Sequence, residues 1–157
     1  NALDVGRKHA QQRALAINYL QAPAERLPFK CSSFHTVVAF DVLEHVSDLP
    51  MTLAEISRVL RPGGRFIYNT MNRTILCRAV VIWIGERCWK GGPPRGTHNW
   101  LKFIRPRELV ELMARNGIAN VETRGFAPVV ADLHGRLQMR LAPFTWLSYV
   151  GWGVKEK

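Results

Sequence analysis

The spacing of apolar residues changes period several times along the chain, and each change marks an element. Residues 2–15 set Leu3, Ala10 and Leu15 among Arg, Lys and Gln, which predicts a helix. Residues 17–21 read as a short strand, and Pro23 followed by Leu27-Pro28-Phe29 as a loop. Residues 34–40 (FHTVVAF) are β-rich and almost continuously apolar, the pattern of a central strand covered on both faces. A helix is predicted over 50–60, with Leu53, Ile56, Val59 and Leu60 on one face. Arg61-Pro62-Gly63-Gly64 ends it and turns the chain into a strand over 66–69. Residues 75–89 are apolar with interspersed Arg, and Gly91-Gly92-Pro93-Pro94 is a loop. Residues 106–116 form a predicted helix, with Pro106 in its first turn and Gly117 past its end. Strands are expected over 121–123 and 147–154. This alternation implies an α/β fold, one sheet with helices on both faces.

Composition narrows the class. The chain has 157 residues, 47% of them apolar, enough for one domain with a packed core. Its richest apolar run, residues 79–84, is far shorter than the ~18–20 residues of a membrane-spanning helix. Cys31, Cys77 and Cys88 form neither a disulfide framework nor a paired metal motif, so they read as small buried apolar groups in a reducing compartment. The net charge of +10 is unevenly placed: residues 61–107 carry ten Lys and Arg against one acid, Glu86. Such a block favours an anionic partner. No zinc-finger spacing, RNA-binding aromatic motif or helix-turn-helix accompanies it, so nucleic acid is not expected. The first residue is Asn and lies in a helix-like segment, which leads us to expect part of a longer chain.

Candidate chemistry concentrates in Asp41-Val42-Leu43-Glu44-His45. On a helix these place Asp41, Glu44 and His45 at i, i+3 and i+4 on one face, a donor set suited to Mg²⁺ or Zn²⁺. The same Asp-x-x-Glu spacing also reads as a capping box, with Asp41 as N-cap. Phe40 ends a strand, where ligands of open α/β sheets bind, or is a core aromatic. His98 follows a Pro/Gly stretch and is either a general base or a surface histidine. His9, His35 and His134 have no partner pattern and read as structural. Residues 74–92 mix Ile, Val and Trp with Arg78, Arg87 and Lys90, an interfacial composition, or else form an ordinary helix of a lid.

Several segments together resemble one family. Ala24-Glu25-Arg26-Leu27-Pro28-Phe29, Ser33–Val38 followed by Leu43-Glu44-His45-Val46, and Glu55–Gly64 resemble the class I S-adenosylmethionine-dependent methyltransferases in order and spacing. Asn69–Arg73 and Gly96–Pro106 look like the ubiquinone-biosynthesis O-methyltransferases within that class. The resemblance implies a Rossmann-like methyltransferase sheet without its first strands, the chain beginning just after the second. The family's Gly-rich loop and strand-ending acid have no counterpart here, and Pro23 stands where many relatives have an Asp that meets the adenine.

By the resemblance, Ala24, Glu25 and Phe40 line the cofactor. Asp41, Glu44 and His45 bind a divalent metal that helps ionise the substrate hydroxyl, with His45 and His98 as catalytic residues. The implied reaction is O-methylation of a polyprenylated catechol or phenol from S-adenosylmethionine in quinone biosynthesis. Residues 74–92 are then a membrane-associating segment within the methyltransferase domain. The expected setting is cytoplasmic and peripheral to the inner membrane, or the matrix side in a mitochondrion. The alternatives are a methyltransferase acting on another lipid or small molecule, and a non-catalytic module that binds anionic surfaces.

Overall fold

A computed structural model describes residues 2–87, 94–129 and 138–157. Helix α1 spans Ala2–Gln12, and strand β1 spans Phe34–Phe40. Helix α2 (Leu49–Val59) leads directly into β2 (Leu60–Met71). A short α3 (Ile75–Cys77) continues as a π-helical turn over Arg78–Gly85, and a 3₁₀ turn covers Trp100–Lys102. Helix α4 (Pro106–Arg115) and strands β3 (Ile118–Val129), β4 (Gln138–Ala142) and β5 (Ser148–Lys155) complete the order.

The five strands form one sheet in the order β1-β2-β5-β3-β4. β1 and β2 are parallel, while β5 is inserted antiparallel between β2 and β3. Alternation along the strands sets the two faces. Phe66 and Tyr68 of β2 and Tyr149 of β5 point to one face, where Leu53 and Ile56 of α2 and Leu109 and Met113 of α4 close a buried core. Gly151 lies opposite Tyr68 in the ladder, and a Cβ there would run into the Tyr68 ring. The other face carries Ile67, Val150 and Trp152, half-buried, and meets the 78–85 turn across a cavity at its Met71–Ser148 end.

Local chemistry explains the helix ends. Asp48 caps α2, its side chain accepting from the Met51 amide at 2.9 Å. Pro106 opens α4, Glu108 accepts from the Arg105 amide, and Gly117 leaves the helix at φ +67°.

Three expectations are corrected. Residues 17–21 form no strand: Ile17 and Leu20 are exposed, and no neighbouring strand supplies a ladder. The 66–69 strand extends back to Leu60, because Pro62, Gly63 and Gly64 fit a bulge between Phe34↔Leu60 and Thr36↔Arg65. The Asp41–His45 segment is a tight turn, not a helix start, since Asp41 sits at φ +51° and α2 begins only at Leu49. Trp89, Lys90, the 91–93 part of the loop, Cys88 and His134 lie outside the described residues.

Candidate functional site

The site is built where β1 and β2 end. Phe40, the last residue of β1, is 54% exposed there and not a core aromatic. The chain then turns at Asp41, whose amide donates to the Asn69 carbonyl at 3.2 Å. Two side chains tie the 46–48 segment after this turn to other loops, Glu25 from the loop that precedes β1 and Lys102 from the 3₁₀ turn. Glu25 Oε1 accepts from the Ser47 and Asp48 amides at 2.7 and 3.1 Å. Its own amide first, then those of Asp48 and Ser47, hold the Glu25 carboxyl below its ordinary value. Lys102 Nζ donates to the Val46 carbonyl at 3.1 Å. Ala24 and Glu25 thus belong to one wall, where Glu25 spends its carboxylate on backbone as a clasp, while Phe40 stands at the end of β1. The wall is braced from α2: Glu55 accepts from the Leu27 amide, and Arg58 reaches the Leu27 and Phe29 carbonyls while paired with Glu55.

The expected metal triad does not form. Because 43–45 is a turn, Asp41, Glu44 and His45 share no helical face. Glu44 points inward and is 2% exposed, whereas Asp41 and His45 are exposed. Among the described residues no three His, Cys, Asp or Glu side chains converge as a ligand set. These residues therefore do not fit a metal ion, and no step is routed through one. The capping-box alternative fails for the same reason, Asp48 being the cap of the helix that follows.

Glu44 has a different setting. Thr70 Oγ1 donates to its Oε2 at 2.7 Å, while its Oε1 has no hydrogen-bond partner among the described residues. Burial raises its carboxyl above the ordinary value, and the Asp41 carboxylate adds to the rise. Burial likewise pushes the nearby Cys77 thiol up to about 12, so Cys77 is inert packing, as expected, while Cys31 is exposed.

His45 and His98 come together, their ring centroids 5.6 Å apart, and the Phe103 ring lies 6.1 Å from that of His98. His98 Nδ1 lies 2.9 Å from Glu86 Oε1, and the two side chains are 9% and 3% exposed. Glu86 also accepts from the Gly96 and His98 amides. Burial pushes its carboxyl up, but these donors outweigh it and leave the group below its ordinary value. His98 stands in the wall of an apolar cavity of about 460 Å³, with Met71, Val80, Val81 and Ile84 among the lining. Sequence reasoning missed Glu86. Its only signal was its being the single acid in a strongly basic stretch, twelve residues before His98.

Residues 1–68 match a family model described as a methyltransferase domain. The ubiquinone biosynthesis O-methyltransferase of Methylocella silvestris is 37% identical over 149 residues, covering 94% of this chain and 56% of the relative. That of Ruegeria pomeroyi is 39% identical over 124 residues, covering 79% and 50%. The chain spans about half the length of these curated relatives. An S-adenosylmethionine-dependent methyltransferase of Thermotoga maritima superposes with a TM-score of 0.63 at 22% identity, covering 95% of this chain and 68% of that one. That likeness establishes the Rossmann-like methyltransferase fold. The likeness to the ubiquinone-biosynthesis enzymes expected from the motifs is thus found along most of this chain.

Around the cavity the surface is apolar and basic. Ile75, Trp83 and Leu101 are 82%, 57% and 70% exposed, and Arg78 lies over the Trp100 ring. No helix among the described residues is long and apolar enough to cross a membrane.

Proposed function

We propose that this chain forms the acceptor-binding half of an S-adenosylmethionine-dependent O-methyltransferase of ubiquinone synthesis, acting on a polyprenylated catechol. The observation that carries the reading is the placement of one buried, carboxylate-held imidazole, His98, in the wall of an apolar cavity at the end of β2. Ligands of open α/β sheets bind at that end. The names of the 37–39% identical relatives support the same reaction class.

The exposed Phe40 face and the clasped 24–29 loop fit one wall of a cofactor site. S-adenosylmethionine supplies a methyl group on a sulfonium sulfur, which becomes a neutral thioether when an oxygen takes the methyl. His98 accepts the phenolic proton as the O–CH₃ bond forms, so the oxygen attacks as an anion and the imidazole leaves protonated. His45, whose ring lies beside that of His98, orients the ring to be methylated. The apolar lining holds the first part of the prenyl chain and excludes water.

Residues 74–92 and the adjoining Leu101 attach the protein to an anionic bilayer surface, from which a long-tailed substrate is drawn. The site of action is then the cytoplasmic or matrix face of the inner membrane.

The test is methyl transfer by the native full chain to a catechol ring with and without a short prenyl tail. The tail should raise kcat/KM at least about tenfold, the gain expected from burying a few CH₂ groups. Equal kcat/KM for the two acceptors would contradict the cavity assignment.

A further inference from the structure

We infer that Glu86 is a positioning residue that holds His98 as its Nδ1–H tautomer, leaving Nε2 as the nitrogen that takes the acceptor's proton. The inference rests on the reading of His98 as the base and specifies how that base is made.

Glu86 follows the π-helical turn, its amide donating to the Val81 carbonyl at 3.2 Å. Its carboxylate faces the 94–98 loop and uses both oxygens there. Oε2 accepts from the Gly96 amide at 2.7 Å. Oε1 meets the His98 amide and His98 Nδ1, each at 2.9 Å. Backbone and ring of His98 are thus held by one oxygen, which fixes the loop and the ring rotation together.

The chemistry then sets the tautomer. The amide donors and the imidazole keep the carboxyl below its ordinary value despite burial, so it is ionised at neutral pH. An ionised carboxylate only accepts hydrogen bonds, so the nitrogen facing it carries the hydrogen. A neutral imidazole has one N–H, which leaves Nε2 with its lone pair. The His45 and Phe103 rings, 5.6 and 6.1 Å from the imidazole between centres, limit its swing. Without the carboxylate the ring is free to take the other tautomer, in which Nε2 already carries a proton and cannot act as base. The placement of a single acid inside a block of ten basic residues has a use on this account.

A loop anchor with no effect on the tautomer is the competing role, and two readouts separate the roles. The first is the ¹⁵N spectrum of His98 in the native full chain, which needs no variant. Nδ1 should appear as the protonated and Nε2 as the unprotonated nitrogen, and the reverse assignment overturns the inference. The second is kinetic. Glu86→Gln should lower kcat about 100-fold with KM nearly unchanged, the scale of a lost base. Glu86→Asp, which keeps the charge, should recover a large part of that loss. Equal rates for Glu86→Gln and the native protein would overturn the inference. So would equal defects in the Gln and Asp variants, because a charge-independent effect is that of an anchor. Failure of the base reading has a separate sign: His98→Ala would methylate at the native rate, whatever tautomer the spectrum reports.

Discussion

Glu44 shows how one residue changes meaning when its backbone is known. Its spacing from Asp41 suits a ligand set or a capping box on a helix, but the left-handed φ of +51° at Asp41 bends the chain into a turn that permits neither. The carboxylate goes instead into the interior, with Thr70 on one oxygen and no described partner on the other. A buried carboxyl of this kind destabilises the fold when ionised. Its raised value means that the native state takes up a proton before the unfolded state does, so its contribution to stability improves as pH falls through that raised value. Glu44→Gln should therefore raise the unfolding free energy at pH 7 by about 1 kcal/mol, with the gain shrinking toward pH 4–5. Denaturant titrations at the two pH values check this, and destabilisation at pH 7 would contradict it. Sequence spacing identified His45 and His98 as residues of interest but not their 5.6 Å approach, because fifty-two positions and a β-strand separate them along the chain.

At the scale of elements, the most legible pieces were those whose own residues set their limits. Helices α2 and α4 carry their caps, turn residues and apolar faces within a few positions, whereas β1, expected as a central strand covered on both faces, is an edge strand in which only Ala39 is buried. The rest depended on partners. β4 has no strong alternation and owes its extended form to pairing with residues 125–129 of β3. Residues 17–21 have strand-like composition and no ladder to join. The 24–29 loop takes its shape from α2, where the Glu55–Arg58 pair grips its backbone. The Arg58 hydrogen bond lowers the Glu55 carboxyl to about 2, against burial. A lowered value stabilises the native state above the ordinary 4.5, and that contribution is lost as pH falls toward about 2. Acid unfolding of Glu55→Gln should accordingly show a weaker pH dependence between 4.5 and 2 than the native protein. An unchanged acid profile would remove the Glu55–Arg58 brace from the account. The 75–85 segment gives a further expectation. Flotation with vesicles containing anionic lipid should exceed flotation with neutral ones, and Ile75→Glu with Trp83→Glu should lower it several-fold. Equal recovery from both vesicle types would contradict the electrostatic part of the attachment.

For the whole molecule, one face of the sheet supplies stability and its upper end supplies chemistry. Leu53, Phe66, Tyr68, Leu109 and Tyr149 are fully buried under α2 and α4. Leu53→Ala should cost about 2–5 kcal/mol in chemical denaturation, as large-to-small changes in such cores do. The fold class was legible because strand and helix periods alternate. The inserted antiparallel β5 was legible only as a strand, since its neighbours are chosen by tertiary packing through Tyr149, Gly151 and Gly153. The functional end combines the Phe40 wall, the two histidines and the apolar cavity, none of which is contiguous in sequence. The central claim is that this arrangement makes His98 the base of a methyl transfer to oxygen. The most direct measurement follows isotopically labelled methyl from S-adenosylmethionine into a prenyl catechol, with the native full chain and His98→Ala side by side. The account predicts labelled O-methyl product from the native protein and at least about 100-fold less from the variant, with folding retained. Absence of transfer by the native chain, or equal transfer by both proteins, would contradict it.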